Sequence, residues 1–149
     1  MKTNLRTDVV RQLRRRVDPD EYRSIRQLWI AHSIAEDSHD IPGLMATLTE
    51  DCVYTVINRG VEWHGKAGAT QFYQQLLTAF PDIHFDLQNI VIGPQGVFEE
   101  AFVTGTYESQ WLDMQPPSGK RVDFTVTILF PWNPDQRLFT GERVYFHLI

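Results

Sequence analysis

Cysteine is nearly absent: Cys52 is the only one in 149 residues. No internal disulfide can form, and a reducing cytoplasm is the simplest setting. Long apolar runs are missing too. The longest span only a few residues, such as Ile128-Leu129-Phe130, against the roughly 20 that a membrane helix needs, and no signal-peptide core follows Met1. The glycines form neither G-x-G-x-x-G nor G-x-x-x-x-G-K-[ST], which removes the common phosphate cradles. H-E-x-x-H, paired C-x-x-C and G-x-S-x-G do not occur, which removes the common zinc and acyl-serine sites. Of His32, His39, His64, His84 and His147, no two stand at metal spacing on one element. No metal is expected, and a metal site would need distant elements to converge.

Positive charge is confined to one end. Residues 1–16 carry Lys2, Arg6, Arg11, Arg14, Arg15 and Arg16 against Asp8, a net of +5, while the remaining 133 residues hold 8 basic and 18 acidic side chains, a net of −10. So acidic a body repels phosphate backbones, and nucleic acid is not expected as a partner. The expected organisation is a basic arm over 1–18 and one domain over 19–149, long enough to bury a sizeable core unaided. The arm has three readings: an extension frayed or docked on a partner, a transit peptide, or a contact for an anionic surface.

What is present is patterned. Asp18-Pro19-Asp20-Glu21 combines a capping aspartate, a first-turn proline and acids at the positive end of the dipole. Tyr22, Ile25, Leu28, Trp29, His32 and Ala35 then recur at three- and four-residue steps, which predicts a helix to about Ser38. Asp40 caps a second helix over 42–48, and the acidic turn Thr49-Glu50-Asp51 breaks the pattern before a strand over 52–57. After the turn at Asn58-Arg59-Gly60 come a return strand over 61–63 and a third helix over 67–79 with Phe72, Tyr73, Leu76 and Leu77 inward. Runs over 83–92, 97–111, 121–131 and 138–148 are β-rich and separated by Gly-Pro, Pro-Pro-Ser-Gly and Asn-Pro-Asp turns. The expected fold is α+β, a curved antiparallel sheet with helices on one face. On the last strand Glu142, Val144 and Phe146 share a face opposite Arg143, Tyr145 and His147. Polar and apolar groups on both faces mean that both are covered, which predicts a homodimer through the sheet.

Titratable groups on apolar faces are the candidates for chemistry. His32 shares a helical stripe with Ile25, Trp29 and Ala35, one turn before Glu36. It is either a satisfied core histidine or an imidazole oriented by Glu36 and aimed into a cavity for proton transfer. Tyr54, Trp63, Tyr107 and Trp111 are either plain core or the wall of that cavity. Glu142 and Arg143 read equally well as a solvated pair.

The order of elements, with Trp29-Ile30-Ala31-His32, Thr49-Glu50-Asp51-Cys52-Val53-Tyr54, Phe80-Pro81-Asp82, Gly105-Thr106-Tyr107, Pro116-Pro117-Ser118-Gly119-Lys120 and Gly141-Glu142-Arg143-Val144-Tyr145-Phe146, resembles the SnoaL-like polyketide cyclases of the nuclear transport factor 2-like superfamily. The resemblance runs from about Tyr22 to the C-terminus. It implies a cone of curved antiparallel sheet packed on three helices of the N-terminal half, enclosing a small apolar or aromatic ligand. It also implies acid–base chemistry with no metal or organic cofactor. The family's catalytic aspartate and histidine positions correspond to Val144 and Thr127 here, so the resemblance carries the fold but not the cyclase mechanism.

Two functions follow as expectations. One is a cofactor-independent isomerase, cyclase, lyase or hydrolase with His32 as principal acid or base, Glu36 orienting it, and Asp123 or Glu142 as second carboxylate. Trp29, Tyr54, Trp63, Phe72, Tyr107, Trp111 and Thr127 would then contact the substrate. The other is a binding or dimerisation module without catalysis. An enclosed cavity with His32 bonded to a carboxylate or tyrosine favours the enzyme; a cavity filled by Trp29, Phe72 and Trp63 favours the module.

Overall fold

The computed structural model describes residues 9–16 and 18–147. Helix α1, Pro19–Asp37, starts where the capping pattern places it: the Asp18 carboxylate accepts from the backbone N–H groups of Asp20 and Glu21. Helix α2, Ile41–Met45, is capped by Asp40 and ends sooner than the pattern predicts, because Leu48 already opens strand β1, Leu48–Val56. Thr49, Glu50 and Asp51 therefore lie inside the strand. They form the irregular stretch between Leu48, opposite Phe139, and Val53, opposite Gly141, a bulge rather than a preceding turn.

A 3-10 turn, Ile57–Arg59, leads to β2, Val61–His64, and then α3, Gly65–Ala79. Strands β3 (His84–Gly93), β4 (Gly96–Tyr107), β5 (Lys120–Asn133) and β6 (Leu138–His147) complete the order. The six strands line up as β2-β1-β6-β5-β4-β3. Pairing is antiparallel except between β1 and β6, which run parallel. The fold class is as expected, α+β, with the helices on the concave face of a curved open sheet. That one parallel pair sets the last strand inside the sheet, between the first strand and β5.

Two glycines make the curvature feasible. Gly141 has φ +127°, and a Cβ there would stand 1.9 Å from the Val53 carbonyl oxygen. Gly96 has φ +134° with the Phe130 carbonyl oxygen equally close. Only glycine tolerates such contacts. Past Gly141, β6 presents Glu142, Val144 and Phe146 to the interior and leaves Arg143 and His147 exposed, the parity expected from sequence.

The inner face packs α1 and α3 against Ala101, Val103, Val126, Ile128, Phe130, Val144 and Phe146. The outer face leaves Val91, Phe98 and Phe102 between 40% and 64% exposed. Residues 9–13 are helical. The Arg15 guanidinium donates to the Pro94 carbonyl oxygen and to Glu21, and Gln95 Nε2 donates to the Gln12 carbonyl oxygen. The described part of the basic arm thus lies against the β3–β4 turn; Lys2, Arg6 and Asp8, like Leu148 of the expected last strand, fall outside the described residues. Among the described residues no helix is long and apolar enough to cross a membrane.

Candidate active site

The apolar stripe of α1 carries His32 into the interior, where it is 1% exposed. Its two nitrogens meet different elements. Nδ1 lies 2.7 Å from Thr47 Oγ1, in the turn between α2 and β1, and that hydroxyl donates to the Leu44 carbonyl oxygen at 2.7 Å. A hydroxyl has one proton to give. Thr47 must therefore accept from His32, which assigns a proton to Nδ1.

Nε2 lies 2.9 Å from Glu142 Oε1 and 3.1 Å from the Tyr73 hydroxyl. The Tyr73 hydroxyl donates to Glu142 Oε1 at 2.8 Å, so the Tyr54 hydroxyl, 2.9 Å away, must donate to Tyr73. Between Nε2 and Oε1 there is room for one shared proton. The pair is either imidazolium with carboxylate or imidazole with carboxylic acid. Moving between these states shifts a proton by a fraction of an ångström and leaves every neighbouring bond in place.

Two further carboxyl groups crowd this pair, the half-buried Glu36 and the buried Glu99. Burial, followed by the charges of Glu142, Glu99 and Asp37, pushes Glu36 well above the carboxylate range. Glu99, on β4, is raised to about 7 by burial and then by Glu142, while its bond from the Trp29 indole N–H, 2.9 Å long, opposes the shift. The Tyr54 and Tyr73 hydroxyls are raised well above their ordinary value by burial and then by Glu142, so both remain protonated donors near neutrality.

Two spaces adjoin the cluster, and a third shares Trp111 with one of them. An inner apolar cavity of about 40 Å³ is bounded by Glu36 and Glu142 at one end and by Phe72, Trp111, Phe124, Val126, Ile128 and Val144 around it. A second cavity of about 270 Å³ lies between α1 and the β3–β4 hairpin, against Trp29, His32, Glu36, Glu99 and Phe130. An outer groove of about 640 Å³ runs past Arg59, Trp63, Gln75 and Trp111. Trp111 lines both the groove and the inner cavity.

The residues singled out from sequence fall into three groups. His32 and Glu142 are joined directly, with Glu36 beside them; His32 is bonded to Thr47 and Glu142, however, and Glu36 does not orient it. Trp29, Phe72, Trp63 and Trp111 line the cavities or the groove. The rest lie elsewhere. Asp123 is exposed, paired with Thr104 across the β4–β5 ladder. Thr127 sits opposite Glu100 and Tyr145 on the outer face, since Val126 and Ile128 take the inward positions. The Tyr54 hydroxyl is committed to Tyr73. Tyr107 accepts from the Trp111 backbone N–H and donates to the Met114 carbonyl oxygen, which pins the 111–114 loop. Val144 faces the inner cavity, across from Ile128.

Sequence reasoning missed Glu99, Thr47 and the polar role of Tyr73. Glu99 was within reach, because Val97, Glu99, Ala101 and Val103 share one strand parity. Thr47 had no such mark; its role depends on a turn that brings it to His32. His32, Glu36 and Glu142 also place one ligand atom each within 4.8 Å of one another. These donor types suit a divalent ion, drawn from elements far apart in sequence. Here Nε2 and Oε1 are bonded to each other through the shared proton.

A family model described as a SnoaL-like domain matches residues 29–138. No functionally curated protein matches the sequence. A proposed SnoaL-like polyketide cyclase from Jannaschia sp. CCS1 superposes with a TM-score of 0.75 at 18% identity, covering 89% of this chain and 90% of its own. A proposed polyketide cyclase from Xanthomonas campestris pv. campestris gives 0.68 at 21% identity, over 85% of this chain and 93% of its own. A proposed hydroxylase from Streptomyces galilaeus gives 0.68 at 18% identity, over 85% and 81%.

Proposed function

This chain belongs to the SnoaL-like domain family, and from that premise we propose that it is a small-molecule enzyme working by proton transfer, without an organic cofactor or metal, on an apolar or aromatic substrate that carries an enolisable carbonyl. The observation that carries the reading is the His32–Glu142 pair, buried to 1% and 2% exposure, sharing one proton at the end of an apolar cavity. Glu142 and Glu36 face that cavity, while His32 stands behind Glu142. In this reading Glu142 removes and returns the substrate proton, His32 balances its charge, and Glu36, held protonated by burial, donates a hydrogen bond to the developing oxyanion. Isomerisation and aldol-type cyclisation both need these steps; lyase and hydrolase reactions start from the same pair.

Trp111 is the gate in this reading. A cavity of about 40 Å³ holds no substrate until the Trp111 indole moves toward the outer groove and joins the two spaces. The exposed outer face with Phe98 and Phe102 supports a homodimer through the sheet, and the single Cys52 supports a reducing, cytoplasmic setting.

The test is proton exchange in D2O, followed by NMR, across a panel of cyclic and aromatic ketones. Glu142→Gln is expected to lower exchange by about 10²–10⁴-fold. Wild-type exchange by Glu142→Gln would overturn the reading. A second function, a ligand-binding module without catalysis, is favoured by one observation: Phe72, Trp111 and Phe124 nearly fill the inner cavity. Tight ligand binding with no exchange across the panel would select it.

A further inference from the structure

The 270 Å³ cavity between α1 and the β3–β4 hairpin has an unusual charge balance. Glu36, Asp37 and Glu99 lie on its wall, and among the described residues no lysine or arginine does. Glu99 comes from the inward parity of β4 and is 6% exposed. Its Oε2 accepts from Trp29 Nε1 at 2.9 Å, and among the described residues nothing donates to Oε1. That oxygen is not sealed in the core: the unpartnered, fully enclosed side-chain atoms are Thr49 Oγ1 and Trp132 Nε1 alone among the described residues. Glu99 Oε1 therefore opens to the cavity its residue lines. An acceptor so placed, on a wall with no lysine or arginine among the described residues, is open to a cation or donor that enters the cavity. Trp29, Phe85 and Phe130 add aromatic surface to the same wall, the surface that attracts organic cations.

We propose that this cavity binds a protonated amine, its ammonium group on Glu99 Oε1 and its hydrocarbon against Trp29, Phe85 and Phe130. A bare metal ion fits less well, because the space is many times an ion's volume and Glu99 is not among the described side chains whose ligand atoms converge, His32, Glu36 and Glu142. Glu36 and Phe85 belong to this cavity and to the inner one, so the far end of the ligand points toward Glu142. The proposal names a substrate class for the site described above. Its catalytic meaning rests on that reading, and its binding does not.

The experiment is isothermal titration of the full chain with benzylammonium chloride, benzyl alcohol or sodium benzoate at constant ionic strength. It is run near pH 8, above the value of about 7 at which Glu99 ionises. Benzylammonium is expected to bind at one saturable site at least about tenfold tighter than benzyl alcohol, with no binding of benzoate, and Glu99→Gln is expected to erase that preference. Ser33→Phe fills the same space from α1 with the Glu99 side chain left in the sequence, and is expected to abolish binding if Glu99→Gln does not fold. Equal affinity for amine and alcohol, or an unchanged preference in Glu99→Gln, would overturn the proposal. Exchange activity indifferent to Glu142 would overturn the acid–base reading and leave the amine result standing, and the converse pattern would do the reverse.

Discussion

Replacing Thr47 with valine removes one hydroxyl from the centre of the network and almost no volume. Thr47 is 3% exposed, so the mutant side chain keeps the same packing. The Leu44 carbonyl oxygen also keeps a donor, since the backbone N–H of residue 47 reaches it at 3.0 Å. The loss therefore falls on one group: His32 Nδ1–H, which has no other partner among the described residues. Leaving a buried donor unmade costs about 1–3 kcal/mol. A loss of about 2 kcal/mol in a chain of this size lowers Tm by about 4–8 °C. Thr47→Ser is the control. It retains the hydroxyl and loses a methyl group, at about 0.8 kcal/mol. Urea denaturation should rank wild type above Thr47→Ser above Thr47→Val. ¹⁵N NMR of the imidazole should show Nδ1 protonated in wild type and Thr47→Ser, and a changed Nδ1 environment in Thr47→Val. If Thr47→Val matched or exceeded Thr47→Ser in stability, with Nδ1 unaltered, the proton assignment across Thr47, His32 and Glu142 would be wrong.

Glu99 makes stability depend on pH with a definite sign. The fold raises its carboxyl from 4.5 to about 7, so the native state holds the proton more tightly than the unfolded chain. Stability then falls as pH rises from about 4.5 to about 7, by on the order of 3 kcal/mol, and Glu36 adds a change of the same sign. Glu99→Gln should flatten this slope in urea titrations between those limits; an unchanged slope would show that Glu99 ionises freely in the native state. Gly141→Ala places a methyl group 1.9 Å from the Val53 carbonyl oxygen at φ +127° and should cost at least about 3 kcal/mol. Near-wild-type stability by denaturation would contradict the close β1–β6 approach. Phe102, 40% exposed on the outer face with Phe98 and Val91, should hold the dimer: light scattering is expected to find wild type dimeric and Phe102→Glu a folded monomer, and a monomeric wild type would refute the interface.

Much of the fold was legible because local chemistry and global structure agree along this chain. The Asp18-Pro19 start needs only a carboxylate and a fixed proline φ, so it could be placed from sequence within a residue. Strand parity put Glu142, Val144 and Phe146 on one face for the same reason: the pleat has a period of two whatever lies above it. The bulge at Thr49–Asp51 was misread as a turn, because a bulge is defined by its partner strand, and that strand lies about ninety residues away at Gly141. Thr127 was misjudged by one position on β5, and a shift of one residue turns a strand position from cavity to outer surface.

The sequence by itself determined what each segment is and which side it buries: an acidic α+β domain, a histidine on an apolar helical stripe, and a glutamate on the inward parity of the last strand. It could not determine that these two side chains share a proton. His32 and Glu142 are 110 residues apart, and they meet because β6 inserts beside β1 while α1 crosses the same concave face. Which carboxylate faces the cavity, which hydroxyl fixes the imidazole, and that Glu99 keeps an unpaired oxygen beside an open space were likewise decided by tertiary structure. Distances of a few tenths of an ångström between distant segments have no counterpart in local pattern, and proton sharing depends on nothing else.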